Sequence, residues 1–208
     1  GTYTLYDDSV FENCTFNVSG DVYNIWTWGA PTATFTNCTF NCDGKAMLLY
    51  GTANTKLTMN NCVFNDKGGL ADLKAAIEIG NDYNKSYELI VNNATVNGFE
   101  INDKGINTGT TLWANKNSMP ADKLKVIIDG YTWAADGLSK KDGEYYVSNA
   151  NGLATLNAMM ANMTAGRGTV VNLSADINFA GKTWTPVDSH ADSSFTFAEL
   201  NGNGHTIS

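Results

Sequence analysis

Phe11-Glu12-Asn13-Cys14-Thr15-Phe16-Asn17 returns as Phe35-Thr36-Asn37-Cys38-Thr39-Phe40-Asn41 and again as Met59-Asn60-Asn61-Cys62-Val63-Phe64-Asn65. The three cysteines stand 24 residues apart, twice. A fourth copy, Val91-Asn92-Asn93-Ala94-Thr95-Val96-Asn97, follows after 32 residues, and Ile128-Asp129-Gly130-Tyr131-Thr132-Trp133 is a degenerate fifth. Self-similarity at such a period marks a repeat architecture. Each copy reads apolar-x-Asn-Cys-x-apolar-Asn, two strand-like runs flanking an Asn or Gly. Those residues tolerate the left-handed backbone of a sharp corner. The local form is therefore strand, corner, strand.

A further strand-like run precedes each copy: Tyr3–Tyr6, Ile25–Trp28, Met47–Tyr50, Ala76–Ile79 and Thr110–Trp113, with Gly29, Gly51 and Gly80 closing three of them. Three short strands per repeat predict an all-β fold, a right-handed parallel β-helix of about five coils over residues 1–135. Stacked coils would lie about 4.8 Å apart, with like residues in columns. The predicted columns are Asn13, Asn37, Asn61, Asn93; Cys14, Cys38, Cys62; and Phe16, Phe40, Phe64, Val96. A leucine-rich repeat would need regular leucines and a propeller blade about 40 residues; neither fits.

Over about residues 2–133 these motifs resemble the pectin-lyase-like family of right-handed β-helices, in which an Asn column at the corner recurs. The repeated Phe-x-Asn is also similar to repeats of bacterial adhesins and autotransporter passengers. The resemblance implies architecture more than activity, because that family holds lyases, hydrolases, tailspikes and non-catalytic surface proteins.

The last third reads differently. Residues 136–147 form a polar connection, Gly137–Gly143, and a strand, Glu144–Val147. Residues 148–208 then open with one short α-helix: Ser148, Asn149 and Asn151 offer N-caps, and Leu153, Leu156, Met160 and Met163 mark an apolar face. Strand-like runs follow at Thr169–Leu173, Asp176–Phe179 and Phe195–Leu200, with Trp184-Thr185-Pro186-Val187 between them and Asn201-Gly202-Asn203-Gly204-His205-Thr206-Ile207 at the end. The order is similar to the start of a β-helix module in large surface proteins of gut anaerobes, so 148–208 is expected either to begin a second module or to cap the first. The glycine-rich end precedes a strand, whereas a phosphate cradle needs a helix behind it. It is read as a tight turn.

Composition narrows the function. The net charge is −8 and the only arginine is Arg167, so no basic stripe exists to displace counterions from nucleic acid. No stretch reaches the roughly 20 apolar residues of a membrane-spanning helix, and the sequence carries no basic-then-apolar signal-peptide pattern. A chain that starts at Gly1-Thr2-Tyr3 and stops in a strand-like run at Ser208 is expected to be a mature segment of something longer.

Candidate sites follow from the columns. Stacked Cys14, Cys38 and Cys62 read first as small buried hydrophobes, with a disulfide between neighbours and a metal as the sharper readings; stacking gives a poor tetrahedron and no histidine is near. No metal or cofactor is expected. Tyr6, Trp28, Tyr50 and Trp113, with Ile79, fall at equivalent strand ends and are the candidate binding residues, a sugar-stacking platform if they point outward. Their neighbours are Thr27, Leu49 and Glu78; because Glu rarely sits unpaired inside, strand alternation predicts that this set faces solvent and the aromatics face the core.

Connections also lengthen along the chain, from six residues after Gly29 to fourteen after Ala114, and long loops on a rigid scaffold often carry binding. Catalytic signals are sparse. A lyase of this architecture would need an arginine or lysine base, and a hydrolase paired carboxylates. Asp7 and Asp8 diverge on a strand. Asp82, Asp103 and Asp122 form no motif, Asp188, His190 and Asp192 read as a polar loop, and His205 reads as structural. The Asn-x-Ser/Thr sequons at Asn13, Asn37, Asn84 and Asn93 largely arise from the repeat itself.

The expected function is a non-catalytic extracellular β-helix module of a secreted or surface-attached bacterial protein, an adhesin, stalk or glycan-binding segment. Its partner would be a glycan or a host or cell-surface ligand. A polysaccharide lyase or glycosidase and a plain structural spacer are the alternatives. Open solenoid ends expose strand edges and predict end-to-end self-association.

Overall fold

A computed structural model describes residues 2–19, 23–43, 45–68, 75–80, 83–99, 101, 111–115, 119–135, 137–161, 168–181 and 197–208. The chain divides into two compact units, Gly1–Gly130 and Tyr131–Ser208.

In the first unit β1 (Tyr3–Thr4), β2 (Ser9–Glu12) and β3 (Thr15–Ser19) are followed by β4 (Ile25–Trp26), β5 (Thr32–Thr36) and β6 (Thr39–Asp43). Then come β7 (Met47–Leu49), β8 (Thr55–Asn60), β9 (Val63–Asp66), β10 (Ile77–Ile79), β11 (Tyr87–Asn92) and β12 (Thr95–Asn97), and last β13 (Trp113–Asn115) and β14 (Leu124–Ile128). Every third strand meets its like. The orders are β1-β4-β7-β10-β13, β2-β5-β8-β11-β14 and β3-β6-β9-β12, and the pairings are parallel. Three parallel sheets with stacked strands are compatible with a parallel β-helix.

The corner explains the repeat. Asn13, Asn37, Asn61 and Asn93 all adopt left-handed φ of 52–55°, and in the degenerate fifth copy Asp129 and Gly130 both have positive φ, at 50° and 84°. Their amides also chain together: Asn37 Nδ2 donates to Asn13 Oδ1 at 3.3 Å, Asn61 to Asn37 at 3.2 Å and Asn93 to Asn61 at 2.9 Å. A second column, exposed at its ends and half-buried between, joins Asn17, Asn41, Asn65 and Asn97 at 2.7–2.9 Å. One residue type thus satisfies both the backbone angle and its own polar groups.

Strand alternation sends the other set inward. In β8, Thr55, Leu57 and Met59 are buried while Lys56 is exposed. Phe16, Phe40 and Phe64 share one row, with successive ring centroids 4.9 and 5.1 Å apart and nearly parallel, stacked rings, as the repeat predicts. Phe11 stacks on Phe35 at 4.7 Å. Ile128 does sit beside Val91, as the fifth copy implies, but the run that follows departs from the pattern. Tyr131–Ala135 pairs antiparallel with a later strand rather than with β12, and Gly130 stands where the other copies have the corner asparagine.

The second unit opens with β15 (Tyr131–Ala135), β16 (Leu138–Lys141) and β17 (Glu144–Val147), antiparallel neighbours in that order. The helix α1 (Ala150–Ala161) leads to β18 (Thr169–Leu173), parallel to β17, and β19 (Phe197–Asn201) lies parallel to β18. Of the three N-cap candidates, Asn149 makes the capping bond, its Oδ1 accepting from Gly152 N at 2.9 Å. Leu153, Leu156 and Met160 are buried with Leu138, Val147, Val171 and Leu173, as the helical spacing predicts; Met163 lies outside the described residues.

The final turn is structural. Thr206 N donates to Asp176 Oδ1 at 2.9 Å, and that bond, helped by His205, holds the Asp176 carboxyl below its ordinary range. Asn201 donates to Asn172 and Asn172 to Glu144, a short polar column within this unit. No described helix is long and apolar enough to cross a membrane.

Candidate functional site

The first sheet positions the candidate aromatics, and its register sorts them. Tyr3, Ile25, Met47, Ile77 and Trp113 occupy one row. Ile25, Met47 and Ile77 are fully buried, so this row points into the core. Trp113, 4% exposed, belongs to it and not to the strand ends where Tyr6, Trp28 and Tyr50 stand. Ile79 is likewise corrected: it pairs with Leu49, one place before Tyr50. The 24-residue spacing lapses after the third copy, and the longer connections slide the apparent alignment of β10 and β13.

The facing is corrected as well. Thr27 and Leu49 are completely buried, whereas Trp28 and Tyr50 are half-buried and Tyr6 is 65% exposed. The expectation that the aromatics face inward rested on Glu78 sharing the row of Thr27 and Leu49. In fact Glu78 lies in the alternate row, with Trp26, Leu48 and Ala114. It is nonetheless fully buried. The Tyr23 hydroxyl donates to Glu78 Oε2, and Lys45 Nζ stands 3.8 Å from the same oxygen and 4.6 Å over the Tyr23 ring. Charge pairing removes the objection to burial.

On this side of the sheet four aromatics form one cluster. Trp26 and Trp28 meet edge to face at 5.0 Å, and Tyr50 lies 6.2 Å from Trp26 and 6.3 Å from Trp28. Tyr83, 45% exposed, reaches in from the following connection to touch Trp28 at 5.3 Å and Tyr50 at 5.5 Å. The Trp26 indole N–H donates to the Tyr50 carbonyl at 2.7 Å, fixing one ring against the next strand. Beneath Tyr50, Gly51 N donates to the Tyr87 hydroxyl at 2.8 Å. Among the described residues Tyr6 makes no ring contact with this group.

Sequence reading therefore placed Trp28 and Tyr50 correctly as a pair and missed Trp26 and Tyr83. The signal for Trp26 was available: in Trp26-Thr27-Trp28 the two indoles alternate around one residue and must share a face. Tyr83 gave no such signal, since it comes from a connection. Asp82, Asp103, Asp188, His190 and Asp192 lie outside the described residues.

The cysteine column is present and all four thiols are free. Among the described residues no three His, Cys, Asp or Glu side chains converge as metal ligands. Burial pushes the Cys38 and Cys62 thiols up, and burial together with the Asp66 charge pushes Cys42 up to about 12. The unfolded thiol titrates near 9, so below that pH both states keep the proton. As pH rises above about 9 the unfolded chain loses it while folded Cys42 does not, and stability falls until about 12. Thermal melts across this range should show a decline that is shallower in Cys42→Ala; equal slopes would dismiss Cys42 as the source.

Compared with protein-family models, curated proteins and solved structures, the chain matches none.

Proposed function

We propose that this chain is a non-catalytic module of a secreted or surface-attached bacterial protein that binds glycans through the Trp26, Trp28, Tyr50 and Tyr83 cluster. The reading takes the first unit as a right-handed β-helix of the pectin-lyase-like kind, with about five coils as the repeat count implies. The half-exposed cluster carries it. Tryptophan and tyrosine offer large flat apolar faces at small entropic cost, which suits the apolar face of a pyranose ring. Trp26 stands on a strand of a parallel sheet and the other three rings pack on it or on one another, so the surface is in place before a ligand arrives, and that lowers the cost of binding. Catalysis is less favoured because the repeats hold no arginine and their aspartates fall into no recognisable paired-carboxylate motif.

A glycan array followed by reducing-sugar and unsaturated-product assays tests this. Binding without turnover supports the module, turnover points to a carbohydrate-active enzyme, and silence to a spacer. On any glycan that binds, Trp28→Ala should weaken affinity at least about tenfold, whereas Trp113→Phe, inside the core, should leave it unchanged. Equal loss from both would move the site elsewhere.

A further inference from the structure

We propose that Cys14 and Cys38 form a redox-addressable pair that closes to a disulfide between neighbouring strands when the folded chain meets a low-molecular-weight disulfide. The two residues follow identical corners, immediately after Asn13 and Asn37, and the next residues, Thr15 and Thr39, are register partners. Thr39 N donates to the Cys14 carbonyl at 2.8 Å. Neighbouring parallel strands lie about 4.8 Å apart, inside the Cα separation that disulfides use.

The thiols also point alike. Cys14 Sγ lies 3.3 Å from the carbonyl of Glu12, and Cys38 Sγ lies 3.4 Å from that of Thr36, each two residues back. Cys38 Sγ further reaches the Phe11 carbonyl at 3.6 Å, so it leans towards the strand pair that carries Cys14. Cys62 repeats this contact one repeat on, with Phe35. The column alone would allow either Cys14–Cys38 or Cys38–Cys62. Access separates them: Cys38, Cys42 and Cys62 are fully buried, and Cys14 alone is partly open.

Exchange must therefore begin at Cys14. Its thiolate attacks the small disulfide, an S–S bond forms to one half, and the other half leaves as a thiolate. Cys38 then loses its proton and attacks Cys14 Sγ, and the second half leaves as the thiolate that takes that proton up. The protein is oxidised by two electrons and the small disulfide reduced to two thiols. Burial holds the Cys38 thiol up, which makes the second step the slow one and speeds it as pH rises.

The experiment uses the folded full chain with glutathione disulfide, followed by intact mass and non-reducing peptide mapping. The expected product has lost two hydrogens and joins the Cys14 and Cys38 peptides, after a transient single-glutathione adduct on Cys14. Its melting temperature should rise by roughly 5 °C or more, because the closed loop restricts the unfolded chain. In Cys38→Ala the Cys14 adduct should accumulate. A stable adduct on wild-type Cys14, an unmodified wild-type chain, or a crosslink involving Cys42 or Cys62 would overturn the proposal.

Discussion

Phe40→Ala is expected to cost the fold about 3–5 kcal/mol, the largest loss of any single truncation in the first unit. The ring is fully buried, lies between Phe16 and Phe64 at 4.9 and 5.1 Å, and meets the edge of Phe35 at 5.6 Å. Its removal forfeits transfer energy and leaves a cavity whose walls belong to three successive repeats. Those walls are pinned by their own strand pairings, so they close in poorly. Phe16→Ala is the internal comparison. That ring is only half-buried and stacks on one phenylalanine of its row, so about half the loss is expected. Urea midpoints for the two variants decide the matter. If Phe16→Ala costs as much as Phe40→Ala, the column is not one continuous core.

Gly51→Ala should be nearly as damaging, by about 3 kcal/mol, and should also abolish glycan binding at the proposed site. A Cβ at this position would stand 1.9 Å from the Trp28 carbonyl oxygen and 2.6 Å from its carbon. Both atoms are backbone, so no rotamer change relieves the clash. The two neighbouring turns must part, and with them go the bonds from Thr52 N to that same oxygen at 2.7 Å and from Gly51 N to Tyr87 at 2.8 Å. Trp28 and Tyr50 flank the break. At Gly29 the equivalent Cβ would lie 3.1 Å from the Tyr6 oxygen, and a small adjustment suffices. A thermal melt and a binding titration on both variants check this: near-wild-type behaviour of Gly51→Ala would show that the close approach does not matter.

The stacked architecture was legible because one position demanded an unusual backbone angle. Few side chains accept left-handed φ, so Asn13, Asn37, Asn61 and Asn93 announced their corners, and the apolar residues two and three places away fell into register with them. The first sheet has no such marker. Its strands are two or three residues long, and nothing in Ala76–Ile79 or Thr110–Trp113 fixes which residue meets which, so Ile79 and Trp113 were misplaced. Glu78 misled for a different reason. Alternation treats a charge as a signpost to solvent, but a lysine 33 residues earlier and a tyrosine 55 residues earlier accompany it inside. Contacts of that range leave no local trace. Tyr83 shows the same limit, since a residue outside the repeat completes the cluster.

The Asn61–Asn93 amide bond spans 32 residues, yet it matches the Asn37–Asn61 bond, which spans 24. Between the second and third strands of each repeat the corner is always the same two residues long, 13–14, 37–38, 61–62 and 93–94, and the surplus leaves by the other connections. Sequence length and scaffold geometry are thus uncoupled along two margins and locked along the third. For an evolving lineage, or for a designer grafting foreign loops, the chain divides accordingly: new segments of arbitrary size belong at the permissive margins, while a single inserted residue at the asparagine corner would throw every later rung out of phase.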